Sequence, residues 1–179
     1  MTRALEALTV EHKRMSRLLG LLEEQVAVLE QAGEADYEVI KEILDYFLTY
    51  PDLCHHPKED LVLEKLRARA PAAAAAVGAL DEEHDRLSHQ LHDFTHAVMN
   101  LMLEVEVPRE ALVRLAKGFV DHERRHMAAE ERVFFPAALR YLTEADWREI
   151  GDRAKPFKDP LSASEAGLRF PELRRLMAL

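Results

Sequence analysis

Histidine and glutamate recur at a fixed interval in two separate parts of this sequence. His55 precedes Glu59 by four residues, and His126 precedes Glu130 by the same interval. Residues four apart lie one above the other on a helix, so each pair can present an imidazole nitrogen and a carboxylate oxygen to one point. Nitrogen and oxygen donors that converge in this way are typical of a metal site. The repeated spacing indicates either a duplicated site or two halves of one site.

Three further histidines interrupt apolar helical stripes, at His12, His84 and His122. Each occupies a position where the three- and four-residue spacing would otherwise place an apolar side chain. An ionised carboxylate in an apolar core costs on the order of several kcal/mol unless it is compensated. Two carboxylates with five imidazoles therefore favour a core that binds a divalent metal. The candidate ligands are His12, His55, Glu59, His84, His122, His126 and Glu130.

The types of donor narrow the choice of metal. Cys54 is the one cysteine, so a zinc site built from several thiolates is excluded, as is an intramolecular disulfide. Seven nitrogen and oxygen ligands exceed what one tetrahedral ion takes, and the share of histidine does not suit calcium or magnesium. The set fits two octahedral ions, with both carboxylates bridging and one position open. Iron or manganese matches it, and the histidines favour iron.

His56 follows directly after His55 and would point about 100° away from it on a regular helix. Pro51 and Pro57 interrupt the stripe here and predict a kink or short break between Tyr50 and Pro57. If Pro57 distorts the turn, His56 becomes an additional ligand or a hydrogen-bonding partner of a bridging carboxylate. The remaining histidines, spaced three and four apart, are interpreted as a solvated face: His89, His92 and His96.

The candidate ligands lie within four long segments of helical periodicity. The first stripe runs from Leu5 to Leu29, the second begins near Asp36, and the third and fourth follow Pro71 and Pro108. Short connections between long helices favour antiparallel neighbours. We therefore predict an all-α fold, an up-down-up-down antiparallel four-helix bundle with a short helical C-terminal appendage.

The bundle is predicted to span residues 1–140, and residues 141–179 are predicted to form an appendage packed on it. Thr143 and Asp146 have the spacing of a helix-capping pair within that appendage. No stretch between these segments is long enough to suggest a further domain.

Charge and hydropathy exclude several classes of protein. The 179 residues carry a net charge of −9, which argues against a nucleic-acid partner, because phosphates require a basic surface. No apolar run is long enough to span a bilayer, so no membrane partner is expected. The N-terminus lacks the features of a secretory signal, and we predict a cytoplasmic protein.

Four motifs resemble those of the hemerythrin-like (HHE cation-binding) family over about residues 5–140: "EHKRMSRLL", "CHHPKED", "EEHDRL" and "HMAAEERVFFPAAL". They carry, in order, His12, His55, Glu59, His84, His126 and Glu130. The resemblance implies a non-haem di-iron centre in which the histidines ligate iron and the two glutamates bridge, together with an oxo or hydroxo group. His122 would complete a set of five histidines. Oxygen-carrying members place their last acid five residues after a histidine, whereas both intervals here are four.

Three functions remain open at this point. The first is a protein that binds dioxygen, nitric oxide or peroxide at an open iron position, for sensing, storage or stress response. The second is an enzyme of oxidative or nitrosative defence that turns over peroxide or nitric oxide, or donates iron for iron–sulfur repair. The third is an iron-responsive regulatory module. The sequence identifies no protein partner and leaves open whether the protein is an enzyme.

Overall fold

Long α-helices make up most of the chain. The structure is a computed structural model that describes residues 2–154, 160–162 and 169–177. Its helices are α1 (Arg3–Glu30), α2 (Tyr37–Phe47), α3 (His56–Arg69), α4 (Pro71–Val77), α5 (Leu80–Met102), α6 (Arg109–Ala129), α7 (Phe135–Tyr141), α8 (Glu144–Arg153) and α9 (Pro171–Met177). π-helical turns occur at Pro51–His55 and Glu130–Phe134, and a 3₁₀ turn at Pro160–Ser162. No strand occurs in the described ranges, which confirms the all-α class.

The long helices pack as the predicted bundle around two apolar clusters. α6 lies against α1 and α5, and α2 lies against α1 and α5. The central cluster contains Leu18, Leu22, Ile43, Phe94 and Phe119, and the end cluster contains Leu5, Leu8, Val62, Leu66 and Phe134. Along α1, Leu8 belongs to the end cluster and Met15 to the central cluster, with His12 between them. The candidate ligands thus lie in a polar layer between two apolar ones.

A proline explains each π-helical turn. Pro57 has no N–H to donate to the carbonyl four residues earlier, and its ring crowds that carbonyl. The N–H of His56 instead donates to the carbonyl of Pro51, five residues earlier. The turn therefore holds one extra residue. Pro136 follows the turn Glu130–Phe134 in the same way, and the predicted interruption of the second segment is a widened turn rather than a gap between helices.

The third predicted segment is divided in the structure, where α4 ends at Val77 and α5 begins at Leu80. Gly78 separates them with a φ of +91°, a conformation that glycine adopts without the strain of a side chain. The apolar spacing continues across the break, and it therefore predicted a single helix after Pro71. Among the described helices, none combines the length and apolarity needed to cross a membrane.

The C-terminal helices contact the bundle, α8 against α1 and α3, and α9 against α2. The Thr143–Asp146 capping pair is confirmed at the start of α8. At α9, the buried carboxylate of Glu42 accepts hydrogen bonds from the backbone N–H groups of Glu172 (3.2 Å) and Leu173 (2.9 Å). Residues 155–159, 163–168 and 178–179 of the predicted appendage lie outside the described residues.

Replacing Glu42 by alanine should lower the free energy of unfolding by about 2 kcal/mol, because two N–H groups of α9 lose a charged acceptor. Urea denaturation followed by circular dichroism measures this loss. Glu38→Ala is the matched control, since Glu38 is exposed on the same helix. An equal effect of both variants would show that Glu42 does not hold α9 in place.

Candidate metal centre

Seven side chains meet in the polar layer between the two apolar clusters. They are His12, His55, His56, Glu59, His84, His126 and Glu130. Their ligand atoms form two groups, in each of which all atoms lie within 4.8 Å of one another. The first group comprises His12, His55, Glu59 and Glu130, and the second comprises His56, Glu59, His84 and His126. Glu59 belongs to both groups, so the two share a ligand.

The two glutamates each face both sets of imidazoles. Glu59 directs Oε1 toward Nε2 of His55 (3.2 Å) and Oε2 toward Nε2 of His84 (3.6 Å). Glu130 directs Oε2 toward Nε2 of His12 (3.3 Å) and Oε1 toward Nε2 of His84 (3.9 Å). One oxygen of each carboxylate therefore faces each side of the layer, which is the orientation that bridging ligands require.

Buried polar atoms without partners are concentrated in this layer. Apart from Thr2 Oγ1, those found among the described residues are both oxygens of Glu59 and Glu130, and Nε2 of His84 and His126. Nε2 of His126 lies 3.2 Å from Oε1 of Glu130, but the two atoms do not have hydrogen-bond geometry. A buried polar atom left without a partner costs about 1–3 kcal/mol. Divalent cations bound at the two groups would give these atoms partners, so the residues present fit a metal.

The carboxylates control the protonation of the imidazoles. Burial by itself lowers the pKa of His12, but Glu130 and Glu59 outweigh it and raise that pKa to about 10. Burial likewise opposes protonation of His55, whose pKa Glu59 and Glu11 raise to about 9. Burial also disfavours ionised Glu130, yet the imidazoles hold the pKa of Glu130 well below its usual range. Protons on the imidazoles therefore balance the carboxylates in metal-free protein, and a cation must displace them.

The chain that carries this arrangement of histidines and glutamates matches the model of a known protein family. The family model described as the hemerythrin HHE cation-binding domain matches residues 3–161. The chain belongs to this family. The resemblance drawn from the four sequence motifs is thereby confirmed, and the buried histidine–glutamate groups of this HHE domain are able to bind metal. A search of the curated proteins returned no match to the chain.

Outer carboxylates orient three imidazoles of the HHE domain. The Nδ1 pairs are His12 with Glu131 (3.0 Å), His55 with Glu11 (2.8 Å) and His56 with Asp52 (3.1 Å). An Nδ1–H that donates to a carboxylate leaves Nε2 as the free nitrogen, and Nε2 is the atom that faces the polar layer. Lys58 also donates to Glu11, so the carboxylate beside His55 is itself held in place.

His56 belongs to the second group of the HHE domain and directly follows the widened turn. Its ring stacks on that of His84, with centroids 3.8 Å apart and an interplanar angle of 12°. On a regular helix, His55 and His56 would diverge by about 100°. The extra residue at Pro51–His55 shifts the helical phase of the residues that follow it, and His55 and His56 belong to different groups. Distortion at Pro57 was the condition under which the sequence predicted an additional ligand at His56.

His122 lies outside both groups. Its Nε2 is 2.7 Å from Oε2 of Glu83, and its Nδ1 is 2.9 Å from Oε1 of Gln90. The spacing that suggested His122 as a ligand placed it eight residues before Glu130, which is about 12 Å along a helix axis. Neither group of ligand atoms within 4.8 Å of one another includes His122. His122 instead joins α6 to α5.

The histidines interpreted from sequence as a solvated face are exposed: His89, His92 and His96. Nδ1 of His89 donates to the carbonyl of Asp85 (2.7 Å), and Nδ1 of His92 donates to that of Ser88 (2.8 Å). These bonds within α5 agree with a surface role.

Glu123 is a candidate functional residue that the sequence analysis missed. It is buried on α6, with 6% of its surface exposed, and it lines a cavity together with His56 and His84. Burial raises the pKa of its carboxyl group. The signal in the sequence was the interval of three residues between Glu123 and His126, which places both on one helix face.

Proposed function

We propose that this HHE domain binds two iron ions in the polar layer, one at each group of ligand atoms, with Glu59 and Glu130 as bridging ligands. His12 and His55 would hold one ion, and His56, His84 and His126 the other. The observation that carries this proposal is the orientation of the two carboxylates, each with one oxygen toward each group. The abundance of imidazole without thiolate supports iron over the alternatives.

We further propose that the protein binds dioxygen, nitric oxide or peroxide at this centre, for sensing, storage or stress response. A bound iron pair supplies reversible oxidation and an open coordination position. The protein side chains provide fewer donor atoms than two octahedral ions require, which leaves room for a small molecule. The outer carboxylates would keep the imidazoles oriented, and the apolar layers above and below would limit the access of water.

Metal analysis combined with an optical spectrum of the air-exposed protein tests the centre. About two iron ions per chain and the near-ultraviolet bands of a bridged ferric pair are the expected result. One zinc ion per chain would contradict it. After anaerobic reduction, dioxygen and nitric oxide can be added separately, and a spectral change that reverses on degassing identifies reversible binding.

The ligand set itself is tested by comparing two alanine variants. His56→Ala should reduce the metal content from about two ions to about one, because His56 belongs to the second group. His122→Ala should retain both ions, since His122 contacts Glu83 and Gln90 instead. Metal content is measured by mass spectrometry after gel filtration. Loss of metal from the His122 variant, with retention in the His56 variant, would restore the ligand set expected from spacing.

A further inference from the structure

The side chain of Glu123 is mostly buried and makes no hydrogen bond to another residue in the part of the chain that the structure describes, but its carboxyl oxygens are not among the fully enclosed atoms without a partner. Only 6% of its surface is exposed, and neighbouring apolar side chains include Phe119, one turn earlier on α6. A carboxyl group in such surroundings is unfavourable unless something hydrogen-bonds to it. A leucine would serve packing better, so packing does not account for this residue.

The carboxyl group lines a cavity of about 20 Å³ between α2, the turn Pro51–His55, α5 and α6. Two proposed ligands, His56 and His84, line the same cavity. Asp52 and His92 also line it and are exposed, so the cavity connects the metal centre with solvent. Its volume accommodates about one water-sized molecule. Dioxygen, nitric oxide and peroxide, the three proposed ligands, are all small enough for such a space.

The small molecules under consideration differ in hydrogen bonding. Hydrogen peroxide has two O–H donors and four lone pairs, so it pairs with a carboxyl group in either protonation state. Dioxygen and nitric oxide have no donor and are weak acceptors, so they leave a buried carboxyl group without a partner. An unpaired buried polar group disfavours such a ligand more strongly than a missing apolar contact does.

We propose that Glu123 makes this centre selective for hydrogen peroxide, because its carboxyl group hydrogen-bonds to peroxide in the cavity beside His56 and His84. The inference rests on the proposed iron centre and names its ligand. The polar mouth formed by Asp52 and His92 suits a hydrophilic molecule. A pocket specialised for dioxygen would be expected to carry an apolar side chain at position 123.

Two variants of the iron-loaded protein test the selectivity. The ferrous protein is mixed in a stopped-flow instrument with hydrogen peroxide, which is reduced to water, or with dioxygen, and formation of the ferric centre is followed. Glu123→Leu should slow the reaction with peroxide about tenfold and leave that with dioxygen within about twofold. Glu123→Gln should stay within about threefold for both oxidants, since an amide also donates and accepts. Glu110→Leu, an exposed position on α6, controls for the lost charge.

Thermal unfolding of the zinc-loaded protein gives a readout that does not depend on reactivity. Glu123→Leu should raise the Tm by about 2–4 °C, because it replaces a mostly buried carboxyl group, which makes no hydrogen bond to the described protein, by an apolar side chain. A lower Tm would assign Glu123 a structural role and contradict the inference. Equal slowing by both oxidants, or unchanged rates in Glu123→Leu, would also overturn it. Wild-type protein that binds no iron contradicts the proposed function itself, whereas iron-loaded protein with unchanged rates contradicts only the selectivity.

Discussion

Replacing Glu59 by alanine should abolish binding of both metal ions, from about two ions per chain to almost none, because its carboxylate belongs to both groups of ligand atoms. Glu59 is 1% exposed, so water cannot readily take its place. Its two oxygens face His55 on one side and His84 on the other. Removal of one side chain therefore takes a ligand from each ion and also takes away the link between them.

Variants at other positions separate this shared role from a general loss of structure. His12→Ala affects a residue of the first group alone, and should lower the metal content by only about one ion. Glu64→Ala changes an exposed carboxylate on α3 that pairs with Arg153, and should leave the content unchanged. Glu59→Gln keeps the volume of the side chain and should still lose both ions. One tightly held ion in both Glu59 variants would contradict a shared carboxylate.

Metal affinity should rise at least about tenfold per pH unit between pH 6.5 and 8.5, because each displaced proton contributes a factor of ten. Burial opposes protonation, but the carboxylates raise the pKa of His12 to about 10 and that of His55 to about 9. At least one of the two imidazoles is then protonated throughout this window in metal-free protein, since the 3.1 Å hydrogen bond between their Nε2 atoms requires one of those atoms to accept. Competition between the protein and a chromophoric chelator for zinc, a redox-inert probe, measures the affinity at each pH.

The control for this slope is Glu11→Gln, which removes a carboxylate that helps to raise the pKa of His55. Its slope should fall below that of the wild type near pH 8. A wild-type affinity that changes less than about threefold per pH unit would show that the imidazoles are already neutral before metal binds.

The same protons make the stability of metal-free and metal-loaded protein depend on pH in opposite directions. In metal-free protein the raised pKa of His12 and His55 contributes stability that is complete below pH 6.5, the usual value. That contribution is lost as the pH rises through about 9 to 10. Zinc-loaded protein should instead gain stability over the range in which affinity increases. Melting curves of both forms from pH 6 to 9 would show the difference.

Much of the fold and part of the site could be predicted because the information is local. The intervals between His55 and Glu59, and between His126 and Glu130, determine which side chains share a helix face. Apolar stripes determine which face is buried, so the bundle follows from the spacing on each helix. The π-helical turn was anticipated as an interruption because Pro57 disrupts the hydrogen bonding of any helix.

The rest of the site depends on contacts between helices, which the residue spacing within one helix does not encode. His122 follows the periodicity of α6, but its partners Glu83 and Gln90 belong to α5. His56 directly follows the widened turn, whose effect on the helical phase spacing alone does not reveal. Glu123 is an acidic residue that was not predicted from the spacing to lie in the core. Its burial depends on how α2 and α5 pack against α6.

The widened turn at Pro51–His55 also sets the helical phase of the segment that follows it. The buried face of α2 passes through Ile40, Leu44 and Phe47, and a regular helix with this period would continue to Lys58. α3 instead buries Glu59, one residue further on. Without the one-residue offset, a lysine would occupy the position where the carboxylate lies. A single backbone hydrogen bond, made to the fifth residue rather than the fourth, therefore decides whether this helix presents a lysine or a candidate metal ligand at this position.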